Sequence, residues 1–197
     1  MEEVPTQTKS LRLDADVLEA LDTESAQRGT SVNNLTNQIL RKWANFDRYV
    51  QDFGYIMVSV HDFLRGLSVQ DENTIKMLAT ETGRRFPKDL ILFTGQKNDL
   101  KNCIRFVENI LCDYMKWGTY HTSSTDTEYV ITLRHNYSSK WSIALQIVLQ
   151  SMFDVNTNTK PRFTITDSTV LMIIEKSELS ETLPPSSPEQ SIDRSPL

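Results

Sequence analysis

The densest run of side chains able to do chemistry is Arg134-His135-Asn136-Tyr137-Ser138-Ser139-Lys140-Trp141-Ser142. It falls where an alternating segment gives way to a helical pattern, and the free N–H groups of a helix start attract anions. Arg134, His135 and Lys140 are therefore candidates for holding an acidic ligand, or for sensing pH through the imidazole. A plainer reading competes: Asn136 and the serines cap the helix, Trp141 packs inward and the cations face water. Elsewhere reactive groups are sparse. His61, His121 and His135 sit on three separate expected elements, and the chain has no HExxH, no CxxC and no Gly-rich phosphate loop. No catalytic residue, metal site or cofactor is expected. Cys103 and Cys112, nine residues apart within one helical pattern, suit neither a disulfide framework nor a zinc site and read as buried free thiols.

Periodicity supplies the elements around this run. Phe53 to Val60 (FGYIMVSV) is rich in β-branched and aromatic residues and reads as a buried strand, with helix the alternative for so short an apolar run, followed by a short helix over His61–Leu67. Ile75, Leu78 and Ala79 mark a helix within Gln70–Phe86 that should end near Gly83, with Pro87 barring its continuation. Asp89–Phe93 (DLILF) is either a brief strand or an irregular buried segment. From Asp99 to Trp117, Leu100, Ile104, Val107, Leu111, Tyr114 and Met115 form a helical stripe, with Gly118 as its C-cap. The polar run HTSSTDTE reads as a loop, and Tyr129–His135 alternates as a strand. Ser138 or Ser139 caps a helix whose buried stripe is Trp141, Leu145, Val148, Leu149 and Met152. Arg162–Ile174 gives one long strand, or two joined at Asp167-Ser168. The expected fold class is α+β, a small antiparallel sheet covered by helices.

The amino-terminal stretch follows a different plan. Thr8 to Leu13 alternates, Leu11 and Leu13 on one face and Thr8, Ser10 and Arg12 on the other, as a half-buried strand requires. Asp14 can cap a first helix whose apolar stripe is Val17, Leu18, Leu21 and Ala26, and Gly29 supplies the left-handed residue that ends it. Ser31 caps a second helix in which Val32, Leu35, Ile39, Trp43, Phe46 and Val50 keep one register over about five turns, running on to about Asp52. One short strand and two helices leave backbone groups unpaired and enclose too little core, so a second copy must complete the module.

Strand, helix, Gly-x-Ser turn and helix in this order resemble the ribbon-helix-helix family of Arc/MetJ/CopG-type repressors. In that family two chains intertwine and their strands form an antiparallel ribbon that enters the DNA major groove. The resemblance implies that the outward residues Thr8, Ser10 and Arg12 contact bases, and their chemistry fits: Arg12 can donate a bidentate pair to guanine, and the two hydroxyls can donate or accept at several base edges. It also implies phosphate contacts from Lys9 and from the start of the second helix, at Ser31, Val32 and Asn33. The expected partners are double-stranded DNA and a second copy of the chain. One departure weighs against this: residues 1–50 carry six Lys and Arg against eight Asp and Glu, whereas nucleic-acid binders usually show a basic surplus. The alternative is an interaction or antitoxin-like protein that uses the module only to dimerise.

With 197 residues, 39% hydrophobic content and a net charge of −5, the chain divides into a module at 1–52, an α+β sensor or oligomerisation domain at 53–176 and a disordered tail at 177–197. The tail is Pro-, Ser- and Glu-rich, and its Ser-Pro steps at Ser187 and Ser195 are either modification sites or part of a solubilising segment. No apolar run reaches the ~18 residues of a membrane span, and the acidic start lacks a signal peptide's features, so a cytoplasmic protein without membrane contact is expected.

Overall fold

The computed structural model describes residues 7–50, 58–157 and 159–175, except for the side chain of Val50. Among these residues the fold is α+β. Two helices come first: α1 (Ala15–Gln27), then α2 (Val32–Lys42), which continues through a π-helical stretch (Trp43–Asp47) and a last turn (Arg48–Val50). Next are α3 (Val60–Ser68), α4 (Glu72–Phe93) and α5 (Leu100–Arg105), the last continuing as a π-helix over Phe106–Tyr114. A hairpin, β1 (Thr119–Ser124) and β2 (Glu128–Arg134), leads to α6 (Ser139–Asn156) and a second hairpin, β3 (Arg162–Ile165) and β4 (Thr169–Glu175).

Local chemistry places the helix starts. Ser31, Ser59, Asp71 and Asp99 each accept from a backbone N–H two or three residues on, at 2.9–3.2 Å. Asp14 occupies the N-cap position of α1, but its carboxylate makes no capping bond. The four strands form one antiparallel sheet in the order β1-β2-β4-β3. Its inner face is set by register: Tyr129, Ile131 and Leu133 stand opposite Ile174, Met172 and Val170, and Phe163 continues the row opposite Met172. Against this face lie α6, through Leu145, Leu149, Met152 and Phe153, and α5, through Cys103, Ile104, Val107 and Leu111, forming one core. Both cysteines are buried and free, with burial pushing each thiol up to about 12.

Several sequence expectations are corrected. The helix over Gln70–Phe86 does not end at Gly83: α4 runs through Gly83 and Pro87 and takes in DLILF, which is helical rather than a strand or irregular segment. Pro87 removes one helical hydrogen bond, at ~3 kcal/mol. That cost is outweighed by burial of Phe86, Leu90 and Ile91 on the α4 stripe, at ~1.5–3 kcal/mol each. Gly83 serves contact instead of termination, since a Cβ there would lie 2.3 Å from the Val148 carbonyl oxygen of α6. Leu78 points outward. Helix α5 ends at Tyr114, and Lys116, with φ +59°, makes the reversal expected of Gly118. Gly118 instead allows the chain to pass Arg134, whose carbonyl oxygen a Cβ would approach to 2.8 Å. Most of HTSSTDTE is strand: β1 pairs along the whole of β2, and only residues 125–127 turn.

Phe53–Val60 lies largely outside the described residues, as do the end of the second helix beyond Val50 and the tail after residue 175. The part of that segment that is described gives no strand, because Ser59 caps α3 and Val60 begins it. Residues 7–14 also form no regular element. A strand needs a neighbour for its backbone groups, and one chain provides none here.

Candidate functional site

The side chains expected to meet DNA lie at the amino-terminal end of the molecule. Thr8, Lys9, Ser10 and Arg12 are all exposed, on the segment leading into α1. Glu24 holds Arg28 at 2.5 Å, Asp47 holds Lys42 at 2.5 Å, and the Arg48 guanidinium lies over the Tyr49 ring. Lys9, Arg12 and Arg41 make no ion pair with any described residue. The free cations therefore include the two at which the family resemblance points.

At the start of α2, the Ser31 hydroxyl accepts from Asn34 N–H at 3.1 Å, and Ser31 carbonyl accepts from Leu35 N–H at 2.9 Å. Asn34 in turn donates to the Thr30 hydroxyl at 2.8 Å. The N–H groups of Val32 and Asn33 keep no partner among the described residues, as the first turn of a helix requires, so this end can receive an anion. Here the Ser31 hydroxyl acts as a cap, and the two amides after it are the ones left without a partner among the described residues.

The apolar stripe of the two helices is divided. Leu35 and Phe46 are buried, the latter against Tyr114 with ring centroids 5.8 Å apart. Ile39 and Trp43 are half exposed, and so are Leu11, Leu13, Val17, Leu18 and Leu40. Phe46, past the end of α2, thus belongs to the main core, while α1 and the stretch from Ile39 to Trp43 carry apolar side chains left half exposed.

The Arg134–Ser142 run is spent differently from what its composition suggests. Lys140 donates to the carbonyls of Ser68 and Gln70, both at 2.6 Å, and so closes the end of α3. His135 is buried, with Nε2 2.9 Å from the Ser142 hydroxyl and Nδ1 3.3 Å from Tyr137 N–H. An amide can only donate, so Nδ1 accepts and Nε2 carries the proton given to Ser142. Burial lowers the His135 pKa below its ordinary value and keeps the ring neutral. Trp141 packs among Phe63, Trp117 and Tyr137 and donates to the Trp117 carbonyl at 3.1 Å. Arg134 alone of the three candidates has an exposed side chain. Lys140 and His135 are structural members already engaged within the protein.

A cavity of about 310 Å³ lies where the end of α2, the end of α4 and α5 meet. Leu90, Ile91, Phe106 and Ile110 form its apolar part, and Asn45, Gln96, Asn102, Arg105, Asn109 and Tyr114 bring polar groups to it. Sequence reading missed it because its walls come from three segments up to 69 residues apart, such as Asn45 and Tyr114. Among the described residues no His, Cys, Asp and Glu group could hold a metal ion, and no helix is long and apolar enough to cross a membrane.

The fold class is α+β with a four-stranded antiparallel sheet. No protein-family model matches the chain, and comparison with curated proteins finds no match either.

Proposed function

We propose that this chain is a non-catalytic, cytoplasmic regulator that binds double-stranded DNA as a homodimer, with a carboxy-terminal domain that senses a ligand or drives further association. The observation that carries the reading is that Leu11, Leu13, Val17, Leu18, Ile39, Leu40 and Trp43 are all left half exposed in the amino-terminal stretch that also holds Lys9 and Arg12, which make no ion pair with any described residue. Large apolar side chains left exposed in such number call for a partner. A second copy is the economical one, because it would also give residues 8–13 the strand neighbour they lack. Thr8, Ser10 and Arg12 from two chains then read base edges, while Lys9 and the N–H groups at Val32 and Asn33 hold phosphates.

A second reading, dimerisation without DNA, is favoured by the excess of acids over bases in residues 1–50. Selection from random duplexes followed by a salt titration separates the two. DNA binding should enrich a short palindrome and weaken by ~0.9 log unit per phosphate contact for each log unit of salt. Arg12→Ala should cost ~1–3 kcal/mol on the selected site. Unchanged cognate binding by a folded Arg12→Ala protein would leave the dimerisation reading in its place.

A further inference from the structure

We propose that the free edge of β1 pairs with β1 of a second copy, joining two four-stranded sheets into one across a twofold axis at Thr122. The sheet ends on β1 and on β3, and the two edges are built differently. Strand β3 is four residues long, directly follows Pro161 and carries Arg162, which is held by Glu128 at 2.5 Å and by Glu175 at 3.9 Å. A short strand with a proline and a charge is a guarded edge. Strand β1, TYHTSS, is six residues long and pairs with β2 in an unbroken register. It has no proline and no Asp, Glu, Lys or Arg, and every position but Thr122 is exposed. None of the features that keep an edge from accepting another strand is present in it.

Hydrogen-bond alternation shows which groups this edge offers. Thr125 N–H donates to the Glu128 carbonyl at 2.9 Å, and His135 N–H donates to the Ser168 carbonyl at 2.9 Å. Counting from these two pairs directs the backbone of Thr119, His121 and Ser123 toward β2, and leaves the N–H and C=O groups of Tyr120, Thr122 and Ser124 on the open side. No described residue takes them up. The strand's own sequence selects the occupant. Threonine recurs at 119, 122 and 125, so antiparallel self-pairing centred on Thr122 sets Thr119 opposite Thr125 and Thr122 opposite itself, with Tyr120 opposite Ser124 and His121 opposite Ser123. This register alone matches all three open positions with one another, and threonine pairs across strands are favourable. Charge agrees with it: Lys116 precedes β1 and Asp126 follows it, both exposed, and the antiparallel arrangement brings each lysine to the aspartate end of the other copy. The pairing deepens the association branch of the proposed function and to that extent rests on it, but it uses no DNA-facing residue.

Oxidative cross-linking of the full chain is the test. A hydrogen-bonded antiparallel pair holds its Cα atoms ~5.5 Å apart, within reach of a disulfide, so Thr122→Cys should form a disulfide-linked dimer under mild oxidation with diamide. In Ser123→Cys the two thiols lie on a diagonal, ~7–8 Å apart, and linking should be at least about tenfold slower. Cys103 and Cys112 are buried and do not compete. The same contrast should persist in the Ile39→Asp background, which removes the amino-terminal interface, so failure of that interface or of DNA binding is read separately. The N–H that Thr122→Pro deletes lies on the open side, a change an edge strand accepts. In the Ile39→Asp background it should lower the assembly seen by sedimentation from dimer to monomer, with circular dichroism unchanged. Equal linking rates for Thr122→Cys and Ser123→Cys overturn the proposal. So does a folded chain carrying Ile39→Asp and Thr122→Pro that associates as tightly as Ile39→Asp alone. If Thr122→Pro disturbs the fold, the cysteine comparison decides by itself.

Discussion

Ile39→Asp separates a chain that works alone from one that is half of a dimer. In the single chain Ile39 is 50% exposed, and a substitution at such a position with no partner normally changes stability by no more than ~0.5 kcal/mol. If a second copy covers it, the exposed half of the side chain, on the order of 90 Å², loses ~2 kcal/mol of burial per chain and ~4 kcal/mol per dimer at ~25 cal/mol/Å². Each new carboxylate also enters an apolar interface without a partner, which adds several kcal/mol more, roughly doubling the penalty. Association should weaken by roughly 10⁵-fold or more. Sedimentation equilibrium measures the loss, and circular dichroism with urea unfolding reports whether the main core survives. A variant that associates as tightly as the wild type would refute the covered surface, and so would a wild-type chain that sediments as a monomer.

Gly83→Ala tests the α4–α6 contact: the better helix propensity of alanine is worth ~1 kcal/mol, but a Cβ 2.3 Å from the Val148 carbonyl oxygen must push the helices apart. A net loss of ~1–3 kcal/mol in urea unfolding is expected, and a more stable variant would show that the helices are not that close. His135 sets a pH dependence of stability. Its folded pKa is lowered by burial, so the unfolded chain binds the proton more readily. The contribution of the neutral ring is complete above pH ~6.5 and is lost as the pH falls below that value toward the folded pKa. The urea midpoint should therefore drop between pH 7.5 and 5 by more in the wild type than in His135→Asn, and equal slopes would contradict the buried neutral imidazole.

Much of the fold was legible because it depends on local chemistry. The stripe Trp141, Leu145, Val148, Leu149 and Met152 is buried as its spacing required, and the break at Asp167-Ser168 does divide two strands. Gly29, at φ +60°, turns the chain between α1 and α2 as expected of a left-handed residue at that place. The readings that failed were those in which a neighbour outvoted local preference. Pro87 is carried within a helix because α6 and the core reward the stripe on either side of it. The polar β1 has no apolar alternation to announce it, and forms by pairing its backbone with β2.

The candidate site divides along the same line. The helix cap at Ser31 was legible from residue type and order, because a serine hydroxyl reaches an amide three residues on, whereas Thr8, Ser10 and Arg12 were singled out only by the family resemblance, and the segment that carries them forms no strand in the single chain. Composition could not say that Lys140 is bound to the end of α3 or that His135 faces Ser142. Those facts depend on which distant segments meet. Periodicity describes the faces of one element, whereas the pairing of faces from separate elements is decided only when burial of the whole core is balanced against the hydrogen bonds each polar group must keep.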